Sequence, residues 1–319
     1  LERRASFAPG AEWTAEANPE SFDAALATDW RAAGVNRVSL GAQTFAAPAL
    51  RWMGRLHGQD GPGRALAAAR AAGIENVSID LIFALPARLE RDWAADLDRA
   101  LALEPSHVSL YGLTAEEATP LGRSVREGRE RMADEETYAA EYLLAAERLA
   151  AAGFEHYEVS NFARPGRQSR HNAAYWDGRA YLGLGPGAHS FLPPVRSWNA
   201  RDWEEYRQRA EAGESTNAGQ ERVTGRAARL ERTWLALRTA AGLPTPELGD
   251  VARGTVADWV AHGWAAADYT RVALTPRGWL LLDRLAVELT DALERDERLT
   301  LSAGRGQIRR PMQTEGAHG

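Results

Sequence analysis

NVSIDLIFALP, residues Asn76–Pro86, decides how this chain folds. From Ile79 to Leu85 every position except Asp80 is apolar, which predicts a strand buried on both faces, as in a parallel sheet covered by helices. Pro86 reads as a rigid turn residue that closes it. On either side, short β-branched or apolar runs alternate with amphipathic stretches. Strands are expected at Trp13–Ala17, Arg37–Ala42, Asn76–Leu85 and Val108–Leu113. Helices are expected at Pro19–Ala33, Ala46–Leu56, Arg64–Ala72 and Leu89–Leu103. The first and third of these run into Gly34 and Gly73, the residue type that most often stops a helix. This recurrence of strand, helix and strand argues for βα units around a parallel sheet, an α/β fold.

In a βα barrel the chemistry sits at the carboxyl ends of the strands. The polar residues there are Glu16, Asn18, Gln43, Asp80 and Thr114. A buried polar group without a partner costs about 1–3 kcal/mol, so each needs a neighbour. Backbone or an Arg could supply one, but polar residues at matching places on successive strands point to a ligand. With Arg55 just beyond, the set suits a ligand carrying hydroxyls, an ammonium and a carboxylate. Spacing alone leaves open an acid/base pair of a hydrolase, Glu16 with Asp80.

Further along, a packing helix is expected over Asp134–Ala152, then β-rich stretches at His156–Phe162 and Tyr181–Leu192. Around and between those strands lies RHNAAYWDGRAYLGLGPGAHSF, Arg170–Phe191. His171, Asn172, Tyr175, Trp176 and His189 cluster here beside a Gly-rich turn. They fit a flat, apolar ligand with a metal or an anionic edge, since imidazole is a good ligand for iron and zinc. Core aromatics and a hydrogen-bonded turn histidine are the plainer alternative. His107, His156, His262 and His318 read as structural or solvated. GLGPG is no phosphate loop, because it lacks the GK[ST] ending. Trp203–Leu243 reads as helical. Pro246–Leu293 reads as two helices, a short β-wing at Val272–Leu274 and a helix from Pro276, a winged-helix-like module. After Arg298 a polar, Gly-containing tail is expected to be disordered.

Composition bounds the class. The 319 residues can bury a sizeable core, and 45% hydrophobic with 26% charged content is ordinary for a globular protein. A net charge of −6 gives no reason to expect nucleic-acid binding, which makes the C-terminal module a packing domain. All 38 basic residues are Arg, a mark of a GC-rich genome rather than of the fold. No run of 18 apolar residues and no leader are present, so a cytoplasmic protein is expected, with peripheral membrane association left open. Zero cysteines excludes disulfides, thiolate metal sites and a cysteine nucleophile within these residues. The start at Leu1 rather than Met leads us to expect a fragment or a processed product.

EANP (Glu16–Pro19), RVSLGAQTF (Arg37–Phe45), MGRLH (Met53–His57), NVSIDLIFALP (Asn76–Pro86), HVSLYGLT (His107–Thr114), HYEVSNFARPG (His156–Gly166), RHNAAYW (Arg170–Trp176) and GLGPGAHSF (Gly183–Phe191) stand in order. Together they resemble the oxygen-independent coproporphyrinogen III oxidase family of radical S-adenosylmethionine proteins. HNAAYW makes the chain most similar to the HemW-type heme chaperone branch. The resemblance implies a partial (β/α)6 barrel with its first two βα units missing. A β-rich segment and the winged-helix-like C-terminal module follow. In residue ranges this gives a barrel at 1–125, a connecting helix and β-rich segment at 126–205, a C-terminal module at 206–295 and a tail at 296–319.

The same resemblance implies that Glu16, Gln43, Arg55, Asp80 and Thr114 face S-adenosylmethionine. It places heme binding on His171, Asn172, Tyr175 and Trp176, and local chemistry adds His189. The implied role is to hold heme and pass it to respiratory proteins. The alternatives are oxidative decarboxylation of coproporphyrinogen III and a cluster-less paralogue. Relatives carry CxxxCxxC, whose three thiolates bind a [4Fe–4S] cluster, and a strand ending in GGGTP; neither is present. Without the thiolates the chain is expected not to be catalytic as it stands. Smaller departures are Ala84, where relatives have Gly, and Glu117, where they have Pro.

Overall fold

The computed structural model describes residues 7–307, with side chains as far as residue 300. The chain divides into two compact units, Leu1–Tyr175 and Trp176–Gly319. From the sequence alone, divisions are expected after residues 125, 205 and 295.

The first unit is built on a six-stranded mixed sheet. Its strands are β1 (Thr14–Ala17), β2 (Arg37–Gln43), β3 (Asn76–Phe83), β4 (His107–Gly112), β5 (Glu155–Glu158) and β6 (Asn161–Ala163), in the order β1-β2-β3-β4-β6-β5. Neighbours among β1 to β4 are parallel, while β6 is antiparallel to β4 and β5 to β6. The helices are α1 (Ala24–Ala33), α2 (Ala47–Trp52), α3 (Gly61–Ala71), α4 (Trp93–Ala102), α5 (Pro120–Arg126) and α6 (Glu135–Ala151), and α7 (Arg170–Trp176) closes the unit. The expected alternation of strands and helices is therefore present, with α1, α2 and α4 shorter than expected and α3 beginning earlier, at Gly61. Asp23, Asp92, Thr119 and Asp134 cap α1, α4, α5 and α6 by accepting a first-turn N–H. Gly34 ends α1 with φ 106°, a left-handed conformation that glycine adopts without strain.

Burial bears out the reading of the deciding strand and refines it. No residue of β3 is exposed, but its two faces differ in polarity. Val77, Ile79, Leu81 and Phe83 are at most 2% exposed and join Val38, Leu40, Val108 and Leu110 in the apolar layer, against which α3 and α6 pack. Asn76, Ser78, Asp80 and Ile82 point to the opposite face. Ser78, just before the apolar run, extends the polar side of the strand that Asp80 marks. His156–Phe162, expected as one strand, is two short antiparallel strands, β5 and β6. RHNAAYW, expected among β-rich chain, is the helix α7.

The second unit holds two three-stranded sheets and a helical end. β7 (His189–Leu192), β8 (Val195–Asn199) and β9 (Asn217–Arg222) form one antiparallel sheet, with α8 (Trp203–Glu211) before β9. Only His189–Leu192 of the expected Tyr181–Leu192 strand is regular; Tyr181 forms a lone bridge to Phe191. β9 interrupts the expected helical stretch Trp203–Leu243. β10 (Leu243–Pro244), β11 (Ala265–Ala267) and β12 (Arg271–Leu274) form the other sheet, with β12 central and α9 (Gly225–Leu237) and α10 (Asp250–Ala261) beside it in sequence. After α11 (Pro276–Trp279), α12 (Leu282–Gln307) runs without a break, so the expected tail is helical as far as Gln307. Residues 308–319 lie outside the described residues. Both α9 and α10 pack on α12, around Leu237, Trp259, Leu285 and Leu289, each at most 1% exposed. Among the described residues no helix is long and apolar enough to cross a membrane.

Leu40 lies in the apolar layer with no exposed surface. Leu40→Ala is expected to cost about 2–5 kcal/mol, from lost transfer energy and the cavity left behind. Urea unfolding checks this; a loss under about 1 kcal/mol would mean that this face is not close-packed.

Candidate functional site

The parallel register lines up polar side chains on the face of the sheet away from α3 and α6. Glu16 pairs with Ser39, Ser39 with Ser78 and Ser78 with His107, while Asp80 pairs with Ser109. At the centre sits Asp80. The Ser39 hydroxyl lies 2.9 and 2.8 Å from its two oxygens, and the Ser78 hydroxyl donates at 3.1 Å. Burial pushes the Asp80 pKa up, against the opposing pull of these hydroxyls and of the Arg37 charge. Arg37 is itself only 4% exposed, and its Nε has no hydrogen-bond partner among the described residues.

The hydrogen bonds continue toward the amino ends of the strands. Ser78 Oγ is 2.8 Å from His107 Nδ1, and His107 Nε2 is 2.8 Å from the Tyr157 hydroxyl. Tyr157 also accepts from the Ser169 N–H at 3.3 Å. One set of proton positions satisfies the chain. Tyr157 donates to Nε2, Nδ1–H donates to Ser78, and Ser78 donates to Asp80. That set requires a neutral imidazole. His107 has no exposed surface, and burial holds its pKa well below the usual histidine value, helped by the Arg37 charge. Burial also raises the Tyr157 pKa, which keeps its proton in place.

At the carboxyl ends of β1 and β2, three of the strand-end residues come together. Arg55 donates to Asn18 Oδ1 at 2.6 Å. Gln43 ends β2 with φ 65°, and its Nε2 lies 2.7 Å from where a Cβ on Gly41 would stand; Asn18 Oδ1 lies 3.7 Å from the same point. Glycine at 41 thus leaves room for the Gln43 amide beside the Asn18–Arg55 pair. The loop that follows is pinned by Asp96, which accepts from Phe45 N at 2.8 Å and Thr44 Oγ1 at 2.5 Å. Glu16 is exposed on β1, and Thr114 is exposed just after β4. Asp80 lies deeper, within the hydroxyl network, so the expected residues are brought to one end of one sheet but at two depths. Ile82 and Leu113 border this end and pack against an apolar cluster centred on Ala49, Leu85 and Leu89.

α7 explains the spacing of HNAAYW. His171 with Tyr175 and Asn172 with Trp176 are each four residues apart, so they form two adjacent stripes on a helix. The Tyr175 hydroxyl lies 3.2 Å from His171 Nε2, the rings meeting edge-on with centroids 5.0 Å apart. His171 is exposed. In the second unit, Trp176 meets Trp234 edge-on at 6.5 Å, with Arg238 4.1 Å above its ring. His189, also in the second unit, is exposed on β7, its ring 5.8 Å from that of Trp198. The double four-residue spacing was the signal for a helix here. Ser39, Ser78 and Ser109, which hold Asp80 in place, gave no comparable signal, and His107 passes in the sequence for a structural residue. No group of three or more His, Cys, Asp or Glu among the described residues is placed to hold a metal ion.

Comparison with known proteins adds what geometry alone does not. The chain is 40% identical over 280 residues to the heme chaperone HemW of Mycobacterium tuberculosis, covering 87% of this chain and 71% of that protein. Over 247 residues it is 37% identical to HemW of Synechocystis, covering 77% of this chain and 60% of that one. It is 40% identical over 184 residues to the mitochondrial radical S-adenosyl methionine domain-containing protein 1 of Danio rerio, covering 58% of this chain and 41% of the other. Among solved structures, coproporphyrinogen III oxidase (HemN) from Escherichia coli, a radical SAM enzyme, superposes with a TM-score of 0.73 at 18% identity. That match covers 91% of this chain and 72% of the other, and it shows a shared fold. No family model matches.

The buried histidines set the acid limit of the first unit. His107 and His156 titrate near 6.5 when unfolded, whereas burial lowers His107 well below that value and His156 to about 3 when folded. Their contribution is present above pH 6.5 and is lost as the pH falls through the window beneath it. Below about pH 6.5 each histidine that stays neutral in the fold lowers stability as the pH falls, by no more than about 1.4 kcal/mol per pH unit. His107→Gln is expected to flatten this slope by about half in urea unfolding near pH 7 and pH 5. Equal slopes for the variant and the parent would show that His107 does not stay neutral in the folded state.

Proposed function

Because the chain belongs to the HemW heme chaperone family, we propose that it binds heme on α7 and passes it to a heme-requiring respiratory protein. The observation that carries this reading is the pairing of His171 with Tyr175 on one stripe of a helix, 3.2 Å apart. Imidazole and phenol are both side chains that serve as axial ligands to heme iron. The neighbouring stripe adds the Asn172 amide, suited to a porphyrin edge. Exposure of His171 suits a carrier, which must both take up its cargo and release it. The reading rests on the α7 residues rather than on His189, which leans toward Trp198.

At the carboxyl ends of the strands we assign S-adenosylmethionine to Glu16, Gln43, Arg55, Asp80 and the backbone at Thr114. The donor set fits. A carboxylate can take ribose hydroxyls or the ammonium, and a guanidinium can fork onto the methionyl carboxylate. Asn18 holds Arg55 ready for that contact. When bound, S-adenosylmethionine supplies just those groups for these side chains to orient. The thiolates a [4Fe–4S] cluster requires are not among the 319 residues, so no step through a cluster is assigned to this chain. Oxidative decarboxylation of a porphyrinogen, the alternative the sequence left open, would need such a step.

Hemin titration followed by the Soret band tests the cargo site. His171→Ala is expected to weaken binding by about tenfold or more, a loss of about 1.4 kcal/mol, and to shift the band. A titration indistinguishable from that of the parent chain would remove heme from α7.

A further inference from the structure

We infer that Glu12 is the positioning residue for His171, an inference that rests on the heme reading of α7. Glu12 is half-buried and lies just before β1. Its carboxylate accepts the N–H of Arg170 at 3.1 Å and the N–H of His171 at 3.0 Å, one bond to each oxygen. The Thr14 hydroxyl holds the same carboxylate at 3.3 Å. A second tether runs from the Arg170 guanidinium to the Gly10 carbonyl at 2.7 Å. The segment before β1 therefore grips the start of a helix that follows it by some 158 residues in sequence.

The need for this grip is physical. α7 has seven residues, too few for a helix to persist on local propensity. The first N–H groups of any helix lack partners within it. Ser169, only 1% exposed, satisfies Asn172 N through its hydroxyl at 3.3 Å, and its carbonyl satisfies Ala173 N at 3.0 Å. Arg170 N and His171 N fall to Glu12. A carboxylate also favours that end of the helix dipole. Because one bond falls on the backbone of His171 itself, Glu12 fixes the point from which the imidazole projects without touching the ring. Tyr157, bonded to Ser169 N, steadies the same turn from the sheet side.

The test compares Glu12→Ala, Glu12→Gln and His171→Ala in hemin titrations of the full chain, reading both affinity and Soret position. Asp134→Ala, which removes an equivalent cap from α6, serves as the control for general destabilisation. Glu12→Ala is expected to bind hemin about tenfold more weakly, with a band displaced toward that of His171→Ala. Glu12→Gln, which keeps one acceptor oxygen, should fall between and stays informative where the alanine variant does not fold. Asp134→Ala should leave the band unmoved. Parent-like affinity and band in both Glu12 variants, while His171→Ala is impaired, would overturn the positioning role alone. Parent-like binding by His171→Ala would overturn the heme reading and the positioning role together.

Discussion

A carboxylate enclosed in the middle of a sheet must be given hydrogen-bond donors, and much of the first unit answers that demand. Asp80 takes them from β2 through Ser39 and from its own strand through Ser78. Ser78 needs a donor in turn and finds it on β4, in the imidazole of His107. These contacts exist only in one register. A slip of one residue on β2 would bring Val38 or Leu40 to face Asp80 and turn Ser39 toward the helices. The buried charge thus penalises every wrong pairing of β2, β3 and β4 more than it stabilises the right one.

How much of this was legible in the chain follows from what each signal encodes. The strands and helices of the parallel part were readable because apolar runs and caps are local. Asp23, Gly34 and Asp134 mark helix ends whatever lies around them. The polar face of the sheet was not. Ser39, Ser78 and Ser109 are weakly polar and sit between aliphatic residues, and only strand pairing reveals that they converge on Asp80. α7 was missed because seven residues bounded by Gly-rich chain carry little helical propensity. β9 was missed because Asn217–Arg222 is mostly polar and exposed, with no apolar alternation to announce it.

The strand-end residues show a further limit. Polar groups near strand ends flagged Glu16, Asn18, Gln43, Asp80 and Thr114 without saying which would meet. The structure puts Gln43, Asn18 and Arg55 around Gly41 and leaves Asp80 deeper in the sheet. Asn18, which the family resemblance passes over, proves to be the side chain that holds Arg55. Sequence position picked out Asn18 as a polar strand-end residue, whereas its partner Arg55 is seen only in three dimensions.

The two proposed ligand groups lie at opposite ends of the same strands. Glu16, Gln43 and Thr114 stand at carboxyl ends, while Glu12 and His107 stand at or before amino ends. β2 spans seven residues, so the ends are about 20 Å apart at roughly 3.3 Å per residue. A ligand at one end cannot touch the other directly. Within this unit one hydrogen-bonded path joins them along the polar face, from Asp80 through Ser78, His107 and Tyr157 to Ser169 at the start of α7, and β1 itself, from Glu16 back to Glu12, is another. Each link is a hydrogen bond between groups with little solvent to compete for it. Ser78 and His107 stand next to any proton or partner held at Asp80, and the path they begin ends at the turn from which His171 projects.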